Sequence, residues 1–188
     1  MSKPTKKVLV FAGSLRAASF NKKLAQQVTA LAKAQGAEAT YIDLNDYPLP
    51  IYNGDIEDSE MPENVHKLQQ LVASHDALCI CTPEYNGAVP ALVKNTLDWI
   101  SREQANGEPG ITVLRNKVVA LFSASPGALG GLRALLLLRD QMAKLGMWVV
   151  PNQFALGKAH EAFADNDTLK SEDNEEKIRA VINQLLSF

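Results

Sequence analysis

The sequence predicts a doubly wound α/β fold, a five-stranded parallel sheet with helices on both faces. Three observations carry this reading. Short apolar runs such as Val8–Ala12 and Ala77–Cys81 have the continuous hydrophobicity of strands buried on both sides. Segments with helical spacing alternate with them, giving the order βαβαβαβαβα. The 188 residues, 46% hydrophobic and 21% charged, are enough for one well-buried core and exclude global disorder. One domain, 1–188, is expected.

Each element has a local reason. Val8–Ala12 is β-branch-rich and ends at Gly13, so it reads as the first strand. Residues 19–35 place Leu24, Val28, Leu31 and Ala32 on one stripe, and Gly36 stops that helix. Glu38–Leu44 reads as the second strand. Pro48-Leu49-Pro50 and the acidic run Asp55–Glu60 read as loop. Pro62 suits the first turn of a helix carrying Val65, Leu68, Leu71 and Val72. Ala77–Cys81 is the third strand, and Pro90 opens a helix through Leu92, Val93, Leu97 and Ile100. Residues 102–115 read as a polar loop, Lys117–Phe122 as the fourth strand, and Gly130–Leu145 as a leucine-rich helix stopped by Gly146. Met147–Val150 is a fifth short strand, and residues 151–170 read as irregular. Ser171 then caps a final helix whose first turns hold Glu172, Asp173, Glu175 and Glu176, the sign a helix N-terminus favours.

Composition narrows the function. Nineteen basic and 21 acidic residues leave a net charge of −2, with no global pull toward nucleic acid or an anionic membrane. Met1 to Lys7 is basic, but the apolar run behind it is too short for a signal segment, and no run approaches a membrane span. Cys79 and Cys81 lie two apart on one strand, which suits small buried hydrophobes and not a disulfide or a redox pair. These features point to a reducing, cytoplasmic compartment. His66, His75 and His160 show no metal-ligand spacing.

In an open sheet of order 2-1-3-4-5, a ligand binds beyond the carboxyl ends of the strands, at the switch point between strands one and three. The loops there are unusual. After strand one comes Gly13-Ser14-Leu15-Arg16-Ala17-Ala18-Ser19-Phe20-Asn21. Ser14, Ser19 and Asn21 are neutral donors beside a helix N-terminus, and Arg16 adds a planar cation able to bind phosphate bidentately. Neither G-x-x-x-x-G-K-[ST] nor G-x-G-x-x-G is present, so a single compact phosphate fits better than a pyrophosphate. After strand three, Thr82-Pro83-Glu84-Tyr85-Asn86-Gly87 brings backbone groups and a flat ring to the same rim. After strand four, Ser123-Ala124-Ser125-Pro126-Gly127 is small and polar, open to close backbone approach.

The motifs Gly13-Ser14-Leu15-Arg16 with Ser19 and Asn21, Pro83-Glu84-Tyr85-Asn86-Gly87, and Lys94-Asn95-Thr96-Leu97-Asp98-Trp99 resemble the NADPH-dependent FMN reductase family, which has a flavodoxin-like fold. The likeness spans residues 6–186 and is similar to the bacterial chromate and quinone reductase branch. It implies FMN as cofactor and NADPH or NADH as co-substrate. It further implies Ser14, Leu15, Arg16, Ser19 and Asn21 around the FMN phosphate, and Pro83, Glu84, Tyr85, Asn86 and Gly87 along the isoalloxazine. Ser123, Ser125 and Gly127 are expected to close the other side. The cofactor carries the chemistry, so no catalytic side chain is assigned. The electron acceptor is expected to be a small molecule: a quinone, chromate, an azo compound or free flavin. The alternative is a flavodoxin-type carrier passing electrons to a protein partner. A phosphoacceptor signalling domain is excluded, because strand one ends in Ala12-Gly13 and strand three in Cys81-Thr82, without the acidic cluster it needs. Leu132 and Leu135 to Leu138 exceed what one sheet-facing stripe requires, which predicts a homodimer or homotetramer.

Overall fold

A computed structural model describes residues 4–188; Met1 to Lys3, the start of the basic segment, lie outside the described residues. The central sheet follows the apolar runs. β1 (Lys7–Ala12) pairs in parallel with β2 (Glu38–Ile42) on one side and β3 (Ala77–Cys81) on the other. β3 pairs with β4 (Val118–Ala124), from Ala77 opposite Val118 to Cys81 opposite Phe122. β5 (Trp148–Val149) completes the order β2-β1-β3-β4-β5, the order expected from the sequence.

Side chains alternate across this sheet and build two cores. Val8, Val10, Ala12, Cys79, Cys81, Ala120 and Phe122 face one core, with α1 (Phe20–Ala34) and α8 (Glu172–Ser187) packed on it. Leu9, Phe11, Leu78, Ile80, Val119 and Leu121 face the other. That core is covered by α3 (Glu63–Ala73), α4 (Ala91–Ile100) and α6 (Leu132–Lys144). The helical stripes match their expected residues: Leu24, Val28, Leu31 and Ala32 in α1, and Ile178, Val181, Ile182 and Leu185 in α8, are buried. Both cysteines are free and fully buried, and burial pushes both thiols up.

The structure corrects several boundaries. The acidic run is not loop: α2 (Gly54–Ser59) forms there, because the Asn53 side chain caps the Asp55 amide and Asp55 and Glu57 lie in its first turn. It buries no side chain, so no apolar pattern marked it. β2 stops at Ile42, where Asp43 caps the short 3-10 turn Leu44–Asp46. The 102–115 loop holds one helical turn, α5 (Ile111–Leu114), anchored by the fully buried Leu114. Residues 151–170 are not wholly irregular. β6 (Phe154–Leu156) pairs with β4 from Phe122 opposite Phe154 to Ala124 opposite Leu156, followed by α7 (Ala159–Ala162). The sheet therefore has six strands. α6 begins at Leu132, since Gly130 and Gly131 adopt φ of 63° and 93°. Among the described residues, no helix is long and apolar enough to cross a membrane.

Candidate cofactor cleft

Three strands end side by side and keep their register to the last residue. The Gly13 amide donates to the Cys81 carbonyl at 2.8 Å, and the Thr82 amide donates to the Phe122 carbonyl at 2.8 Å. The exit from β1 favours glycine: a Cβ at Gly13 would lie 2.2 Å from Val93 Cγ2 on α4. The chain then turns into a cleft lined by Ser14, Arg16, Ser19, Phe20 and Asn21 from the β1 side, Pro83, Glu84 and Tyr85 from the β3 side, and Ala124, Ser125 and Pro126 from the β4 side.

Ser19 is the N-cap of α1. Its Oγ accepts the amides of Asn21 and Lys22 at 3.2 and 3.4 Å, which leaves the hydroxyl proton to donate elsewhere. Ser14 is buried, and Arg16 is exposed at the cleft. Among the described residues no acidic side chain pairs with the Arg16 guanidinium. An unpaired planar cation, two serine hydroxyls and a helix N-terminus therefore share one corner of the cleft.

Asn21 lines the cleft as expected and also ties two of its walls together. Its Nδ2 donates to the Ala124 carbonyl and its Oδ1 accepts the Ala124 amide, both at 2.9 Å. The side chain is 3% exposed and buckles the start of α1 to the end of β4. It joins the β1 and β4 walls of the cleft, with its amide bonded to the Ala124 backbone.

The β3 loop is a tight reversal. Tyr85 and Ala88 exchange amide–carbonyl bonds of 3.1 and 3.0 Å around Asn86 (φ 52°) and Gly87 (φ 75°). Both central residues are left-handed, the pattern of a type I′ turn, which explains Asn-Gly at this place. The turn leaves Tyr85 54% exposed beside the cleft. Asn86 and Gly87 shape the turn but do not line the cleft.

Glu84 points away from the turn toward α6, which has no side-chain cap of its own because its N-cap is Gly131. Glu84 Oε2 accepts the Arg133 amide at 3.0 Å and the Ala134 amide at 3.4 Å, while Oε1 accepts Arg133 Nη1 at 2.9 Å. Arg133 was missed by the sequence reading. A cation in the first turn of a helix opposes the dipole and so signals a nearby acid.

In the β4 loop only Ser125 meets expectation as a lining residue. Ser123 is fully buried and its hydroxyl donates to the Gly130 carbonyl at 2.7 Å, because it is still within β4 and faces the entry of α6. Gly127 lies outside the cleft lining; its carbonyl accepts the amides of Gly130 and Lys158 at 3.2 and 3.3 Å. The third motif is structural. Trp99 is fully buried and donates from Nε1 to the Pro50 carbonyl, Asn95 donates to the same carbonyl and accepts the Tyr52 amide, and Lys94 pairs with Asp98.

Comparison with known proteins places the chain in a family. The chain is 34% identical over 183 residues to a 2-hydroxy-1,4-benzoquinone reductase from Burkholderia sp., covering 97% of this chain and 95% of that protein. It is 35% identical over 164 residues to a quinone reductase from Pseudomonas putida, covering 86% and 83%. The flavoenzyme NAD(P)H:(acceptor) oxidoreductase from Paracoccus denitrificans superposes with a TM-score of 0.81 at 27% identity, over 97% of this chain and 96% of that one. Residues 6–161 match the family model described as NADPH-dependent FMN reductase, and the rim built at the ends of β1, β3 and β4 falls inside that span: the chain belongs to the NADPH-dependent FMN reductase family.

Proposed function

We propose that this chain is an FMN-dependent NAD(P)H reductase that delivers electrons to small acceptors, quinones first, with chromate, azo compounds and free flavin as the alternatives. The observation that carries it is the corner where the unpaired Arg16 guanidinium, Ser14 and the Ser19 cap meet the N-terminus of α1. That donor set fits a phosphomonoester: one permanent cation, two hydroxyls and amides at a positive dipole end. FMN, when bound, supplies the hydride and electron chemistry.

The protein's part is to hold and orient. Ser14, Arg16 and Ser19 hold the phosphate, with the Leu15 backbone in the same loop. Pro83, Glu84 and Tyr85 wall the ring, their backbone fixed by the Asn86-Gly87 turn. Ser125 bounds the opposite side. Asn21 lines the same corner and joins it to the end of β4, and Ser123 acts behind the wall, joining it to the entry of α6. The cleft is open, so nicotinamide and acceptor use it in turn.

We also read the chain as a cytoplasmic homodimer or homotetramer. Leu129, Leu132, Leu136 and Leu137 at and near α6 are 40–56% exposed, more apolar surface than a lone helix face needs. Two free thiols inside the sheet suit a reducing compartment.

The test is the visible spectrum of purified protein followed by steady-state NADPH oxidation with benzoquinone. A bound flavin band and turnover without a partner protein are expected. A flavin that neither NADPH nor NADH reduces overturns the reductase reading.

A further inference from the structure

The loop that carries Arg16 is held from outside the cleft. The Leu15 carbonyl accepts Asn45 Nδ2 at 2.9 Å and, more loosely, Lys22 Nζ at 3.5 Å. Both donors are organised by Asp43 at the end of β2. Asp43 Oδ2 accepts Lys22 Nζ at 2.6 Å, and Oδ1 accepts the Asn45 amide at 3.0 Å and Asn45 Nδ2 at 3.1 Å. Lys22 is itself 8% exposed, unusual for a lysine unless paired. Burial pushes the Asp43 carboxyl up; the bonds from Lys22 and the Asn45 amide, with the Lys22 charge, outweigh burial and hold it below its ordinary value.

The direction of the peptide between Leu15 and Arg16 follows. The described chain contains no cis peptide bonds, so the Arg16 amide points opposite to the Leu15 carbonyl. The carbonyl is turned outward, toward the end of β2. The amide is turned inward, where it meets Ser14 Oγ at a long 3.4 Å, and Ser14 lines the cleft. Reversal of this peptide would aim a carbonyl oxygen at the corner where a phosphate is read, and would remove one donor from it.

We propose that Asp43, Lys22 and Asn45 form a positioning triad that sets the peptide plane of the phosphate loop, so that FMN is distinguished from unphosphorylated riboflavin partly by a network that touches neither. This rests on the cofactor reading above. None of the three residues belongs to the motifs that identify the family, and two of them, Asp43 and Asn45, come from the end of a different strand.

The experiment compares FMN with riboflavin, both titrated by flavin fluorescence into apoprotein of the wild type, Asn45→Ala and Asp43→Ala. Wild type is expected to prefer FMN. Asn45→Ala is expected to weaken FMN about five- to tenfold and leave riboflavin within twofold. Asp43→Ala is the sharper arm. It removes a negative charge near the phosphate, so simple electrostatics would tighten FMN, whereas loss of the triad weakens it. Faster hydrogen exchange at the Arg16 amide in the flavin-free variants is the second readout, and it does not depend on cofactor binding. If wild type shows no preference for FMN, the cofactor reading fails. If wild type prefers FMN but Asp43→Ala tightens it, or both variants match wild type for both ligands, the triad is overturned. Equal weakening of FMN and riboflavin also overturns it, since that reports general loosening. Should Asp43→Ala fail to fold, the exposed Asn45→Ala decides alone.

Discussion

Glu84 caps a helix 49 residues away: its two carboxylate oxygens take the backbone amide and the guanidinium of Arg133 at 3.0 and 2.9 Å. The carboxylate is only 12% exposed, and α6 has no other side-chain cap. The β3 wall of the cleft and the entry of α6 are therefore tied together.

Glu84→Ala is expected to destabilise the fold by about 1–2 kcal/mol, the scale of a lost N-cap. Glu84→Gln keeps an acceptor oxygen and is expected to lose less. Urea unfolding of flavin-free protein measures both, and equal stability of wild type and Glu84→Ala would remove the capping role.

Arg16→Ala is expected to weaken FMN by roughly 1.5–3 kcal/mol, the range for a hydrogen bond to a charged group. Riboflavin affinity should not change. Unchanged FMN affinity in a fluorescence titration refutes the assignment of Arg16 to the phosphate.

Gly13→Ala places a Cβ 2.2 Å from Val93 Cγ2. Overpacking of this kind costs about 1–3 kcal/mol. Val93→Ala removes the obstructing methyl groups, so the double variant should lose less stability than the two single variants added together. Strict additivity in denaturant melts would show that the clash is relieved elsewhere.

The Lys22–Asp43 pair gives stability a defined acid limb. Asp43 has its folded pKa lowered, so its contribution is fully present above the unfolded value near 3.9 and is lost as pH falls through the folded value below it. The stability difference between wild type and Asp43→Asn is expected to be flat above about pH 5 and to shrink below about pH 4. A difference that does not change down to pH 2 contradicts the pairing.

Leu136 and Leu137 are 56% and 51% exposed on α6. Replacing both by lysine should convert an assembled wild type to monomer in sedimentation velocity at micromolar concentration. A monomeric wild type refutes the assembly itself.

Burial decides which of these features could be read from sequence. The core strands were legible because burial on both sides leaves continuous apolar runs, and Ser171 announced α8 by its position before four acids. β6 was not. Phe154–Leu156 is three residues, too short for any period, and its pairing partner extends past the apolar run because Ser123 is polar yet buried in β4. In the site, three loops on one rim were legible from topology. A capping role for Glu84 could be suggested, but not its partner, and the bonds of Asn21 and Ser123 could not, because each is set by a hydrogen-bond partner 49, 103 or 7 positions away. A residue type with polar atoms advertises a bond, and only the fold says to whom.

The way β4 is flanked has a consequence for solubility. Its seven residues are all buried, and two separate short strands share the task of covering it: β5 pairs with Val118 and Val119, β6 with Phe122 to Ala124. A single long strand there would present an unbroken row of amides and carbonyls on which another chain could grow as fibril. Strands of two and three residues, with the chain leaving the sheet between them, offer no such template. This margin of the sheet is thereby protected against strand-to-strand aggregation, a safeguard that comes from strand length and owes nothing to surface charge.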